Sequence, residues 1–384
     1  MATENNNKNL NVPNLRFPEF SGEWVRSSLG VVFCKVENGL TYDPNNSEGL
    51  PVTRIETISD RSINYKRVGY AKDDGKLSKY KMEPGDILFS HINSLKHIGK
   101  TAYYDGEHPL YHGMNLLLLR TTNEESARFL FYQLNTSRFL HRCQVLANQA
   151  VNQASINTRE LKGITLHKPS IKEQIKIADF ISLLDNRIAT QIKIIEKLES
   201  LLKGLYERLF NIDGAAYIQL GDVAKIQKGQ QINGEELSEI GSYYVMNGGV
   251  VPSGYLEDFN TPANTISISE GGNSCGYVQY NGVPFWSGGH CYTLIEPINS
   301  FNYKYLFHYL KFKEQSIMAL RIGSGLPNIQ KKDLERFPIL NVSKEEQDKM
   351  ACIFDDILDR IICERQIALK YEEQKKYLLS NLFI

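Results

Sequence analysis

The sequence predicts an α+β protein built twice on one plan: a mixed α/β region and a long helix, then a second such region and a second such helix. Three observations predict it. A gapless internal repeat runs at an offset of 173 residues. A seven-residue apolar period marks the two helices, and short strands punctuated by Gly and Pro fill the regions between them. Glu173-Gln174 recurs as Glu346-Gln347, Arg187-Ile188 as Arg360-Ile361, and Leu209-Phe210 as Leu382-Phe383. In all, 13 of the 38 positions from 173 to 210 match their counterparts, and shared helical composition does not hold one register for so long. The offset reaches back to residues 156–161 against 329–334, whereas Leu29-Gly30 resembles Leu220-Gly221 at an offset of 191. The first unit is therefore longer by 18 residues, inside its variable part.

The elements are taken in chain order. Residues 1–11 are polar and Asn-rich and lack the apolar core of a secretory signal. Residues 80–90 read as a turn entering an apolar strand, 116–119 as a second strand and 129–140 as a short helix. In 171–210, Ile181, Ile188, Ile195, Leu202 and Leu209 recur every seven residues. Leu184, Leu198 and Leu205 fill the position three later, and Gln191 is the polar exception. This is a coiled-coil seam. In the second region, 265–269 alternates like a half-buried strand, 285–294 crosses a Gly turn into another strand, and 303–310 reads as a helix. The second long helix carries Phe354, Ile357, Ile361, Tyr371, Leu378 and Leu382 on its seam, with Glu364 and Lys375 interrupting. Helices of about 40 residues are roughly 60 Å long, and such amphipathic helices need a partner; each is the nearest candidate for the other. Gln191 and Glu364 hold the same repeat position. They are either tolerated polar sites or a register-setting contact.

Composition narrows the function. The chain carries 44 Lys+Arg against 44 Asp+Glu, with pI near 7.1, which argues against a histone-like or tail-driven nucleic-acid binder. No apolar run is long enough to span a membrane. Six cysteines without a Cys-x-x-Cys spacing suggest reduced thiols in a cytoplasmic protein and exclude zinc ribbons and fingers. Ile98-Gly-Lys-Thr101 lacks the first Gly of a phosphate-binding loop, since Ser94 stands there. The Asn/Asp-Pro-Pro-aromatic tetrapeptide of amino-methyltransferases and the dinucleotide Gly-x-Gly-x-x-Gly are both missing. Glu160-Leu-Lys162 and Glu373-Gln-Lys375 fit part of a nuclease motif only by chance, with no Pro-Asp ahead of them. His290-Cys291 reads as a core or turn pair before a nucleophile. These absences argue against an autonomous enzyme.

Charge is unevenly spread. Residues 24–169 hold 19 basic against 14 acidic side chains, and 217–342 hold 9 against 11. Basic stretches at 61–67 and 72–81 are either solvated loops or phosphate contacts. The second region is poor in charge but rich in Gly, Asn, Ser and Tyr, which can hydrogen-bond bases or phosphates without net charge.

Asn14-Leu-Arg-Phe-Pro-Glu-Phe-Ser-Gly-Glu-Trp24 resembles the N-terminal signature of Type I restriction-modification specificity subunits. Repeat helices opening near Glu173-Gln174 and Glu346-Gln347 are also that family's plan, and the resemblance covers residues 12–384. It implies two α/β target recognition domains separated by two long antiparallel coiled-coil helices in a pseudo-twofold repeat. The boundaries are 1–168 for the N-terminal arm and first recognition domain, 169–214 for the central helix, 215–341 for the second domain and 342–384 for the C-terminal helix. The resemblance further implies that each domain reads half of a bipartite site in double-stranded DNA, while the helices set the spacer and dock modification subunits. No cofactor or metal is expected in this chain. S-adenosylmethionine is expected in the adenine-methylating modification subunits, and ATP and Mg in restriction subunits that translocate and cleave DNA. The modest basicity suggests that partner subunits supply much of the phosphate neutralisation.

Polar loop residues between elements are the expected DNA-reading groups. In the first domain these are Arg61, Asn64, Lys66 and Arg67, then Ser90, His91, Asn93 and Lys96, then Gln149, Asn152 and Gln153. In the second they are Asn247, Asn273, Ser274, Ser287 and His290, then Arg321, Ser324 and Asn328. The loop 321–328 stands at the repeat position of 148–155, which favours a shared role in phosphate clamping. Two alternatives are a non-catalytic coiled-coil scaffold and a fragment of a fused restriction-methylation enzyme.

Overall fold

The computed structural model describes residues 11–58, 62–150, 153–323, 325 and 327–384. The chain forms two compact units: residues up to Thr190 together with Ala368–Ile384, and Gln191–Ile367. The long helices Ile171–Phe210 and Lys344–Asn381 run through both, so each unit owns one end of each helix.

In the first unit the strand Val25–Ser28 pairs antiparallel with Thr165–Lys168. One helical turn, Leu29–Val32, leads into the strand Phe33–Asn38. That strand opens a four-stranded antiparallel sheet in the order Phe33–Asn38, Leu117–Thr121, Ile87–Phe89, Thr101–Tyr103. A ribbon of Ile92–Asn93, Gln153–Ser155 and Asn148–Ala150 continues from the end of Ile87–Phe89. Trp24, Leu29, Phe129, Leu161, Ile181 and Phe383 pack into its core.

The second unit repeats this plan. Tyr217–Gln219 pairs with Pro338–Leu340, the turn Leu220–Val223 comes next, and the sheet runs Lys225–Lys228, Cys291–Ile295, Thr265–Ser269, Val278–Asn281. Bridges from Asn328 to Gly271 and Ile322 stand where the first unit has its ribbon. The repeat extends to single bonds. The Leu29 N–H donates to Ile164 O and the Leu220 N–H to Phe337 O, both at 2.9 Å and both between repeat-equivalent residues. A Cβ on Gly30 would lie 3.2 Å from Lys162 Cβ, and one on Gly221 3.2 Å from Glu335 Cβ. The repeated Leu-Gly therefore marks two helical turns packed closely enough to disfavour a side chain.

The repeated Glu-Gln is explained by its second member. Buried Gln174 accepts the Ser126 N–H at 3.0 Å and donates to Pro169 O at 3.1 Å. Buried Gln347 accepts the Asn302 N–H at 2.7 Å and donates to Val342 O at 2.9 Å. Ser126 and Asn302 are the N-caps of the helices Ala127–Leu134 and Tyr303–Phe312. One buried amide thus ties each long helix to the cap of the short helix beside it. The first member differs between copies. Glu173 is buried under the N-terminal arm, bound by Arg16 Nε at 2.8 Å and Nη2 at 2.7 Å, with the Trp24 indole N–H at 3.4 Å. Exposed Glu346 instead closes a capping box with Ser343 Oγ at 2.6 Å. The arm's Leu15 N–H bonds Asn381 O at 2.9 Å and Phe17 packs edge-on against Phe180. These contacts account for the Asn14–Trp24 signature.

Within each unit the long-helix segments run antiparallel. In the first, Asp185 meets Lys375 at 2.5 Å, while Ile181 and Leu184 share a core with Leu378 and Leu382. In the second, Gln191 meets Glu364 and, further on, Tyr206 and Phe210 pack on Phe354. Gln191 Nε2 donates to both the carboxylate and the backbone carbonyl of Glu364, the latter at 3.3 Å. Both side chains are buried, and Arg360 pairs with the other carboxylate oxygen. Of the two readings of this position, the structure shows the interhelical contact.

Two expectations are corrected. Residues 129–140 are not one helix: Ala127–Leu134 ends at Asn135, whose Nδ2 bonds Phe131 O and Thr101 Oγ1 at 2.7 Å, and Thr136 caps a second helix, Ser137–Leu146. The strand Thr265–Ser269 is buried on both faces, because its hydroxyls find internal partners: Thr265 at Pro262 O, Ser267 at Asn281 Nδ2 and Ser269 at Gly248 O. Residues 285–294 do cross a Gly turn into a strand, and they serve two sheets. Trp286–Ser287 pairs parallel with Tyr243–Met246, and Cys291–Ile295 lies in the main sheet.

Candidate nucleic-acid interface

In the second domain a cavity of about 470 Å³ opens beyond the end of the main sheet, lined by Lys228, Gly248, Glu270, Gly271, Gly272, His290, Pro327 and Asn328. Glu270, two residues past Ile268, is buried. Its Oε1 takes the Lys228 ammonium at 2.5 Å and lies 3.1 Å from the Tyr292 hydroxyl, which also lies 3.2 Å from Ile329 O. Its Oε2 lies 3.5 Å from exposed His290 Nδ1. Burial, then the Glu270 charge, pushes the Tyr292 phenol up, so it stays a donor. Asn247 Oδ1 accepts the His290 backbone N–H at 2.9 Å and so fixes the turn. The predicted His290, Asn328 and Asn247 are thus brought to one place. Burial pushes the neighbouring Cys291 thiol up to about 11, which fits the core reading of that pair.

In the first domain a cavity of about 360 Å³ is lined by Ile55, Glu56, Ile58, Ser90, Asn93, His97 and Lys100. Asn93 Nδ2 donates to buried Ser90 Oγ at 3.1 Å. Asn93 also lies opposite Ala154, which lies opposite Gln149, so the ribbon joins Asn93, Gln149 and Gln153. His91 is buried, and burial lowers its pKa to about 4.

The other expected residues are dispersed. Asn64 accepts the Lys66 N–H at 3.0 Å in a turn that leaves Lys66 and Arg67 exposed. Lys96, Asn273 and Arg321 are exposed and Ser274 is half-buried. Ser287 is buried, its backbone N–H held by Asn260 Oδ1 at 2.7 Å and its Oγ 3.5 Å from Cys291 O. Arg61, Asn152 and Ser324 lie outside the described residues.

The model of the Type I restriction modification DNA specificity domain matches twice, over residues 22–200 and 213–372. The chain belongs to the Type I restriction-modification specificity subunits. It is 30% identical to the putative type I restriction enzyme MjaX specificity subunit of Methanocaldococcus jannaschii, across 98% of this chain and 96% of that one. A putative type I specificity subunit of Mycoplasma genitalium is 32% identical over 41% of this chain and 42% of its own length. The crystal structure of a Type I system S subunit from M. genitalium shares the fold, with a TM-score of 0.70 at 19% identity over 97% of this chain and 99% of that one.

Sequence reasoning missed two members of this candidate site, Lys228 and Glu270. A signal existed: Lys35-Val-Glu-Asn-Gly39 and Lys225-Ile-Gln-Lys-Gly229 share the same first and last residues and a β-branched second one. They align at an offset of 190, not 191, because the first strand carries a bulge between Phe33 and Lys35 that adds one residue. No helix among the described residues is long and apolar enough to cross a membrane.

Proposed function

We propose that this specificity subunit reads a bipartite site in double-stranded DNA, one half with each domain, and that the long helices set the unread spacer and dock the modification subunits. One observation carries the reading. The two domains repeat one fold down to equivalent hydrogen bonds, yet differ in the exposed polar side chains at equivalent places, such as Asn38 and Lys228. Duplicated scaffolds with divergent polar ends suit two targets of one kind. Methyl transfer from S-adenosylmethionine, and ATP- and Mg-dependent translocation and cleavage, are assigned to the partner subunits. The test is replacement of residues 217–340 by the equivalent segment of another family member, with methylation mapping of the complex. One half of the methylated site should change. A change in both halves, or in neither, contradicts the modular reading. The purified chain alone should neither methylate nor cleave DNA.

A further inference from the structure

The two pentapeptides differ most in their fourth residue. Asn38 and Lys228 end the first strand of each main sheet, and both are exposed. Their places are the same by register: Leu117 lies opposite both Asn38 and Phe89, and Tyr292 lies opposite both Lys228 and Ile268. Each is held from below by the residue two beyond the central strand partner. Glu270 holds Lys228 at 2.5 Å, and His91 Nε2 lies 3.2 Å from Asn38 Nδ2. The holders are equivalent too, since His91 O accepts the Ile156 N–H and Glu270 O the Ile329 N–H, both at 2.9 Å. The same place therefore carries an exposed polar side chain on a buried polar holder in both domains, with different chemistry in each.

The hydrogen-bonding sense is opposite. Asn38 Nδ2 donates to Met114 O at 2.7 Å and turns its other hydrogen to His91, so Oδ1 is the outward group, an acceptor. Lys228 gives one N–H to Glu270 and keeps two donors. We propose, building on the reading above, that Asn38 and Lys228 are specificity-determining residues, positioned by His91 and Glu270. Lys228 selects a base with exposed acceptors, the O6/N7 edge of guanine. Asn38 selects an exocyclic amino group, that of adenine or cytosine. Glu270 is a positioning residue: it fixes where the ammonium stands.

The experiment is methylation of a library of sites randomised at every recognised base pair, by the complex with its modification subunits. Lys228→Gln should lower discrimination at one base pair of the second half-site by roughly tenfold or more and leave the first half-site as it was. Glu270→Gln should relax that same base pair, whereas a purely structural role would weaken every position evenly. Asn38→Ala should act likewise on one base pair of the first half-site. Unchanged preference at every position in Lys228→Gln, or even weakening across both half-sites, overturns the proposal. If Glu270→Gln unfolds its domain, the exposed Lys228→Gln and Asn38→Ala still decide it. A wild-type complex that methylates no bipartite site refutes instead the function on which the proposal rests.

Discussion

At the scale of single residues, the glycines after Asn38 and Lys228 are tightly constrained. A Cβ on Gly39 would lie 1.8 Å from His112 O, and one on Gly229 2.3 Å from Gly288 O. Backbone occupies that space, so no side chain can turn aside. Gly39→Ala should cost about 3 kcal/mol, at the top of the usual range for overpacking, read as a lowered urea midpoint. Gly204→Ala, where nothing lies within 4 Å, should not destabilise. His91 supplies a pH prediction. Burial holds its folded pKa at about 4, below the ordinary 6.5, so between those values the unfolded chain binds the extra proton. Stability therefore rises with pH across that window and is lost as pH falls through it. His112 and His308 are lowered by burial as well and act in the same direction. Tm should drop by several degrees between pH 7 and pH 5, and by less in His91→Gln. An equal drop in both would show that His91 is not buried neutral. Such residues were only partly legible. Asn93, His290 and Asn328 stood out as polar loop residues, but Ser90, His91 and Ser287 looked the same in sequence and are inside. Exposure at a strand end depends on register with partners 50 to 80 positions away, which local composition does not encode.

At the scale of elements, the long helices were legible because a seven-residue period over 40 positions is hard to mimic. The polar exceptions in it were visible too, Gln191 with Glu364 as one of two readings, whereas Asp185 as the partner of Lys375 was not. The Gln191–Glu364 contact shows what that polar position costs and fixes. Gln191→Leu leaves one oxygen of the buried Glu364 carboxylate without its donor, Arg360 keeping the other, and should destabilise by about 2 kcal/mol. Adding Glu364→Leu should restore most of that stability, since an apolar pair needs no hydrogen bond. Denaturant unfolding of the two variants checks this, and a double variant no better than the single would contradict it. The short helices were less legible. A break at Asn135-Thr136 rests on two side-chain bonds, one of them to Thr101, and the apolar pattern runs on across it.

At the scale of the whole molecule, the prediction concerns the spacer. Four residues inserted after Leu198 add about 6 Å of helix and rotate the downstream chain by only about 40°, and disturb the seam least. If the helices set the spacer, methylation mapping should show it longer by roughly one or two base pairs, with both half-sites unchanged. A two-residue insertion rotates by about 200° and should abolish activity. An active four-residue variant with an unchanged spacer would remove this role from the helices.

Gln191 and Glu364 are also each other's copies in the repeat, and in an antiparallel pair of duplicated helices only the midpoint brings a residue onto its own copy. That makes the contact a test of parentage. Two first halves joined as twins would set amide against amide, which can bond. Two second halves would set carboxylate against carboxylate in a buried seam, a like-charge encounter. Only the unlike pairing sets an amide donor against a carboxylate, the stronger of these bonds. One polar position therefore biases the tandem chain toward closing on itself rather than trading halves with a neighbour. A fragment ending after the first long helix keeps the chemistry to find a twin, and the second half alone does not.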